Sequence, residues 1–201
     1  MVRKYALLAT LAIVLGLTTS LTYGQTVKIN FQQAASDTPD GYLADAGEVF
    51  GDRGNGFVYG WDKDITGDAR DRDNAIAPDQ RYDTTNHLQK GAPAIWEIEL
   101  QNGEYDIFLV GGDSNHTDQI NNFDVEGVVV EDPDGEDNFD EFTLKVTVAD
   151  GLLTITTAEG ADNAKIMFVD IILAIPPGAA RAPIPLNDVN DVPREVILGW
   201  N

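Results

Sequence analysis

A series of apolar segments joined by short polar turns fills residues 94–173, and this series constrains the fold more than any other feature of the sequence. Trp96, Ile98 and Leu100 alternate with glutamates, and residues 142–148 show the same alternation. A period of two places one face of a strand in a core and the other face in water. The pattern therefore predicts an all-β protein, an antiparallel β-sandwich, with Trp96 in its core.

Two dipeptides, Asn102-Gly103 and Asp150-Gly151, stand between these segments. Dipeptides of this kind supply the positive φ angles that the tight turns of β-hairpins need. The sequence therefore predicts a hairpin at each position.

The N-terminal residues 1–24 have the organisation of a secretory signal. Arg3 and Lys4 are followed by an apolar run over residues 7–17 and by small residues near Gly24. The alternative interpretation of this run is a membrane anchor. The run is short for that role, because a transmembrane helix needs about 20 apolar residues. We therefore predict a signal peptide that is cleaved. The mature protein is then secreted or on the cell surface, with no membrane span.

The formal net charge is -21, and the sequence contains no cysteine. Such an acidic chain is not expected to bind nucleic acid or an anionic membrane, because both carry the same sign of charge. Without cysteine, disulfides, thiol catalysis and thiolate metal sites are excluded. Nucleic acid and anionic membranes are therefore not among the expected partners.

Residues 37–92 show little periodicity but are rich in Gly, Asp and Asn. In one interpretation their aromatic rings fill the ends of the sandwich. In the other, some rings are exposed and stack on sugar rings. The aromatic residues concerned are Tyr42, Phe50, Phe57, Tyr59, Trp61 and Tyr82.

Residues 176–201 begin with a proline-rich linker and continue from Ala182 as APIPLNDVNDVPREVILGWN. This phrase resembles the opening strands of a fibronectin-III-like module. We therefore predict that a truncated module of this type follows the linker. The alternative is a strand that folds back on the first domain.

The order of elements over residues 25–175 resembles malectin and the malectin-like, galactose-binding-like modules of secreted bacterial multidomain proteins. The phrases that carry the resemblance are VKINFQ, RYDTTNH, WEIELQNGEYDIFLVGGD, FDVEGVVV and GADNAKIMFVDIIL. The resemblance implies a jelly-roll β-sandwich that binds sugar in a cleft at one end.

In that family, aromatic residues of two loops and an aspartate before the last strand contact the sugar. By resemblance, Tyr82 matches the first aromatic loop and Asp162 matches the aspartate. The second loop departs from the family pattern, because residues 113–116 read Asp-Ser-Asn-His. The expected cleft residues are Tyr82, His87, His116 and Asp162, with Trp61 as one wall.

Acidic residues crowd at Asp62, Asp64 and Asp68, and again at residues 132–137. Carboxylate oxygens are ligands that calcium prefers, so the first group is a candidate calcium site. The alternative is an ordinary solvated acidic turn. No cofactor is predicted apart from this structural calcium.

The sequence offers little that indicates catalysis. It has two histidines and no histidine pair at metal-ligand spacing, and no nucleophile motif of the Gly-x-Ser-x-Gly type is present. The leading hypothesis is a non-catalytic carbohydrate-binding module of an exported multidomain protein. The alternatives are a structural or adhesive β-sandwich without a ligand, and an accessory domain of a glycan-active enzyme whose catalytic part lies beyond residue 201.

Overall fold

The computed structural model describes residues 26–133, 135 and 137–174. The strands in this range are β1 (Thr26–Phe31), β2 (Leu43–Asp45), β3 (Gly51–Asp52), β4 (Val58–Trp61), β5 (Ala69–Asp71), β6 (Thr84–His87), β7 (Trp96–Glu99), β8 (Gly103–Gly112), β9 (Phe123–Val125), β10 (Val128–Val130), β11 (Phe139–Val148), β12 (Leu152–Thr157) and β13 (Lys165–Leu173). Two short 3₁₀ helices span Thr66–Asp68 and Gln80–Tyr82. The predicted signal peptide and the predicted C-terminal module lie outside the described residues.

The strands form two sheets that pack as a β-sandwich, as the sequence predicts. The seven-stranded sheet has the order β11-β8-β13-β1-β2, and β6 joins it beside β13 and carries β5. The six-stranded sheet has the order β10-β9-β12-β7-β4-β3. The strand pairs are antiparallel apart from the parallel pair of β1 and β2.

The alternation read from the sequence is confirmed in both sheets. Trp96 and Ile98 of β7 are fully buried, and Phe142, Leu144, Val146 and Val148 of β11 all face the core. The prediction that Trp96 is a core residue is therefore correct.

The two predicted hairpins are wrong in their pairing. β7 belongs to the six-stranded sheet and β8 to the seven-stranded sheet, so the chain crosses between sheets at Asn102-Gly103. The same crossing occurs between β11 and β12 at Asp150-Gly151, where Gly151 has a φ of 91°. Alternation reports which face of a strand is buried, but it does not report the sheet in which the strand pairs.

A second, smaller cluster of apolar residues lies outside the main core. It consists of Tyr82, Val110, Met167 and Phe168, with Tyr42 and Phe139 packed against it. The pairing register of β13 shifts between Ile166 and Phe168. Ile166 and Val169 belong to the main core, whereas Met167 and Phe168 between them belong to the second cluster. Residues 42 and 82 thus bring parts of the loop-rich segment onto the seven-stranded sheet.

The strands run between two ends of the sandwich. At one end β8 finishes at Gly112, next to the beginning of β13. We call this the cleft end, because a depression described below lies there. At the opposite end, β1 begins with Thr26 paired to Ile172, close to the end of β13. The described chain therefore begins and finishes at the opposite end.

Candidate functional site

A polar depression of about 260 Å³ lies at the cleft end, and we call it the basic cleft. Six of its lining residues are basic side chains or histidines: Arg70, Arg72, His87, Lys90, His116 and Lys165. Asp118 and Asn163 complete the lining. This composition is unusual for a chain with 34 acidic and 13 basic residues.

Strand β5 and the residue after it supply two of the cations. The sequence there reads Arg70-Asp71-Arg72-Asp73, and successive side chains of an extended segment point to opposite sides. Arg70 and Arg72 both line the basic cleft. Asp71 and Asp73 instead gather with Asp83. Alternation along this segment thus places Asp71 on the side opposite to the two arginines, whereas Asp73 leaves the extended conformation with a φ of 49°.

His87 ends β6 and lies at the rim of the seven-stranded sheet, opposite Lys165 of β13. Its Nδ1 lies 2.8 Å from the carbonyl oxygen of Asp68. Because a carbonyl can only accept, Nδ1 carries the proton, and Nε2 of the neutral ring is an acceptor. Burial lowers the pKa of His87, and the nearby charges of Lys165, Arg70 and Lys90 lower it further. The ring is therefore held in its neutral form.

Lys165 is 1% exposed and provides a fixed positive charge at the base of the cleft. Its Nζ donates to Gln119 Oε1 at 2.8 Å and to Asp118 Oδ1 at 3.2 Å. Asp113 Oδ2 lies 3.9 Å from the same Nζ. A buried ammonium group needs such partners, since an unpaired charge is costly to remove from water.

The loop after β8 carries His116 and is held by the fully buried Asp113. The backbone N–H groups of Asn115 and His116 donate to the side chain and the carbonyl of Asp113, respectively. Arg72 forms an ion pair with the carboxylate of Asp113. Gly112 begins this loop with a φ of 134°, and a Cβ at that position would lie 2.1 Å from the carbonyl oxygen of Asn138. The turn therefore requires glycine.

The structure brings together some of the predicted cleft residues and separates others. His87 and His116 both line the basic cleft. Asp162 is exposed and adjoins the lining residue Asn163, and its backbone pairs with Ile120. Tyr82 is buried in the second cluster, where its hydroxyl donates to Glu141 at 2.6 Å. Tyr82 does not line the cleft.

The expectation that Trp61 forms a wall of the cleft is corrected by its burial. Trp61 is 0% exposed and belongs to the main core. Its indole N–H donates to Asp45 Oδ1 at 2.7 Å, and that of Trp96 donates to Oδ2 at 2.8 Å. Burial raises the pKa of Asp45, although these hydrogen bonds oppose the shift. A tryptophan this enclosed has no face left for a sugar.

The candidate calcium ligands are also not brought together. Asp62 accepts from the backbone N–H of Ile95, Asp64 accepts from Thr66, and Asp68 pairs with Lys90. In the part of the chain that is described, the carboxylates that converge are those of Asp71, Asp73 and Asp83, with one oxygen of each within 4.8 Å of the others. Bound calcium stays a prediction.

Sequence reasoning missed the basic residues of the cleft. The repeated Arg-Asp pattern at residues 70–73 was the available signal, because an extended segment sorts such alternating charges onto two sides. Lys165 and Lys90 gave no local signal. They meet only because β6 pairs with the beginning of β13.

The opposite end contains a larger depression of about 600 Å³, which we call the apolar groove. Its apolar lining consists of Phe50, Phe57, Val58, Leu100 and Leu152, with Glu99, Gln101 and Asp150 as its polar side chains. Both phenylalanines are half-buried. The partly exposed rings of the loop-rich segment therefore include two that lie far from the basic cleft.

No protein-family model matches the chain, and no curated protein matches it. Many solved structures resemble it, and three of them do so over about three quarters of its length with TM-scores above 0.5. They are the protein YXIM from Bacillus subtilis (22% identity, TM-score 0.52, 75% of this chain and 40% of that chain), a chain in the complex of the plant peptide RALF23 with FER and LLG2 (12%, 0.51, 75% and 40%), and a calcium-binding mutant of Bacteroides uniformis β-glucuronidase 2 (15%, 0.53, 76% and 18%). The chain spans less than half of each matched chain. At these identities the likeness shows a shared fold alone.

Within the described residues, no helix is long and apolar enough to cross a bilayer.

Proposed function

We propose that this chain is a non-catalytic carbohydrate-binding module that binds sugar in the basic cleft. The observation that carries the proposal is the cleft itself, a polar depression at the end of the sandwich opposite to the first and last described residues. A site at that end stays accessible when further domains are attached. The resemblance to malectin-like modules and the fold shared with part of a β-glucuronidase structure support the proposal.

The lining suits the hydroxyl groups of a sugar, each of which can donate and accept. Lys90 and Arg70 supply donors, and the neutral ring of His87 supplies an acceptor at Nε2. The side chain of Asn163 offers both. A few polar groups around a depression orient a ligand by their hydrogen bonds.

The chemistry of the one carboxylate in the cleft lining favours binding over hydrolysis. Partial burial raises the pKa of Asp118, but the hydrogen bond and the charge of Lys165 outweigh it, so the pKa lies below its usual value. A general acid for glycoside cleavage needs the opposite shift. We therefore assign Asp118 to holding Lys165 rather than to catalysis.

The proposal includes export and attachment to further domains, as the predicted signal peptide and fibronectin-III-like segment indicate. A structural or adhesive role is the second candidate, and the apolar groove favours it. Phe50 and Phe57 are half-buried at the end where the described chain begins and finishes. A neighbouring domain would lie at that end. The accessory-domain hypothesis requires the same sugar binding, with catalysis supplied beyond residue 201.

Affinity electrophoresis of the full chain in gels that contain neutral or acidic polysaccharides tests the proposal. At least one polysaccharide should retard the protein, and Lys90→Ala should reduce the retardation. Lys145→Ala is the matched control, because Lys145 is also an exposed lysine with one aspartate partner, Asp106, but it lies on β11. A folded protein that no polysaccharide retards, or equal retardation of both variants and the wild type, would contradict the proposal.

A further inference from the structure

We propose that the basic cleft selects sugars that carry an anionic group, a carboxylate or a sulfate ester, over neutral sugars. This inference rests on the proposed function and names the class of ligand. It begins with the distribution of charge. The chain as a whole is strongly acidic, yet the cleft gathers Arg70, Arg72, Lys90 and Lys165 around a single lining carboxylate, Asp118.

Ion pairs neutralise part of this charge, so each cation has to be considered with its partner. Arg72 pairs with Asp113, Lys90 with Asp68 at 3.0 Å, and Lys165 with Asp118. Among the described residues, Arg70 is the cleft cation for which no carboxylate partner occurs. One of its amino groups donates to the carbonyl oxygens of Gly67 and Ala69 at 2.9 Å and 2.7 Å.

These carbonyl contacts fix the Arg70 guanidinium without neutralising it. A guanidinium group carries five N–H donors in a planar fork, so two carbonyl partners leave donors for a ligand. The fork matches the geometry of a carboxylate or sulfate, with which it forms two parallel charge-assisted hydrogen bonds. The hydroxyl of a neutral sugar makes only an ordinary hydrogen bond at the same place.

Arg72 and Lys165 add positive charge beside Arg70. Arg72 is mostly buried, and one of its amino groups pairs with Asp113. Lys165 adds a positive charge that is almost fully removed from solvent. Charges in such positions are screened by salt less than exposed charges are. Burial is the main cause of the lowered pKa of His87, and the charges of Lys165, Arg70 and Lys90 add to it.

The net charge of the chain makes selection by this cleft a local effect. An anionic polymer is repelled by the acidic surface at long range, and attraction begins only where the cleft cations face it. A short-range contact of this kind depends on the charge of one sugar unit in the cleft. Removing that charge from the ligand should therefore remove most of the affinity.

The test measures binding of the full chain to two matched pairs of polysaccharides in the presence of a chelator. The pairs are polygalacturonate with its carboxyl-reduced form, and a sulfated galactan with its desulfated form. At least one anionic member should bind about tenfold or more tightly than its neutral counterpart, since one charge-assisted hydrogen bond contributes this much to affinity. The pair that shows the preference identifies carboxylate or sulfate as the source.

Arg70→Gln should reduce the preference by about tenfold, Arg70→Lys should retain part of it, and Lys145→Gln should leave it unchanged. Lys90→Gln is a second cleft variant, needed if loss of the Arg70 contacts to Gly67 and Ala69 prevents folding. Equal binding of neutral and anionic members through the cleft would overturn this inference and leave carbohydrate binding intact. Failure to bind any of the four would overturn both.

Discussion

The two ends of the sandwich differ in chemistry, and the difference follows from how the chain is routed. The basic cleft is formed by loops and strand ends. An ion pair holds Arg72 there, and hydrogen bonds hold Lys165. The apolar groove is formed by half-buried rings and aliphatic side chains beside the points where the described chain begins and finishes. One end is thus prepared for a polar ligand, and the other for apolar contact.

The types of side chain that are missing from each end indicate its ligand as much as the types that are present. The lining of the basic cleft contains no Phe, Tyr or Trp, although stacking on such rings is the usual way to recognise a sugar face. Recognition there has to rely on hydrogen bonds and charge. The apolar groove has the rings, Phe50 and Phe57, but few fixed donors.

The largest expected effect concerns the core beneath the cleft end. Trp96→Ala should lower the free energy of unfolding by about 3–5 kcal/mol, because a large buried aromatic side chain is lost together with its packing. Phe57→Ala at the apolar groove should cost about 1 kcal/mol, since that ring is only half-buried. Urea denaturation followed by tryptophan fluorescence and circular dichroism measures both. Equal losses would show that the two ends are packed equally.

The next effect compares how changes at the two ends of the sandwich alter polysaccharide binding. Phe57→Ser should leave the affinity for any bound polysaccharide within a factor of about two, because the groove lies at the other end of the sandwich and distant sites act independently. His116→Ala, a change in an exposed ring of the basic cleft, should weaken the same binding several-fold. Isothermal titration calorimetry provides the two constants. A loss confined to Phe57→Ser would assign sugar binding to the apolar groove.

The smallest expected effect is on the pH dependence of stability. The pKa of His87 is lower in the folded protein than its ordinary value near 6.5, so the unfolded chain binds the proton more readily. His87 therefore contributes a loss of stability as the pH falls below about 6.5, and this loss should be absent from His87→Gln. Chemical denaturation between pH 5 and 8 compares the two proteins, and parallel profiles would contradict the assignment.

The fold was largely predictable from the sequence because alternation is a local property. Trp96 and the residues of β11 were correctly placed on buried faces by their period of two. The pairing of β7 with β4 and β12, instead of with β8, depends on contacts distant in sequence and left no local pattern.

The site was predicted only in part, for the same reason. Of the expected residues, His87 and His116 line the basic cleft, whereas the aromatic residues Trp61 and Tyr82 are buried elsewhere. Sequence does not distinguish a ring that stacks on a ligand from one that fills a core. Lys165, which begins a buried strand, became a cleft residue through the fold alone.

Mapping of backbone amide chemical shifts on the full chain tests the central claim most directly. An acidic oligosaccharide is titrated into the isotope-labelled protein, and the amides that shift are located on the two ends. The account predicts shifts around residues 70–72, 87–90, 113–118 and 162–165. Shifts concentrated at residues 50–58, 99–101 and 150–152 would place the ligand in the apolar groove and contradict it.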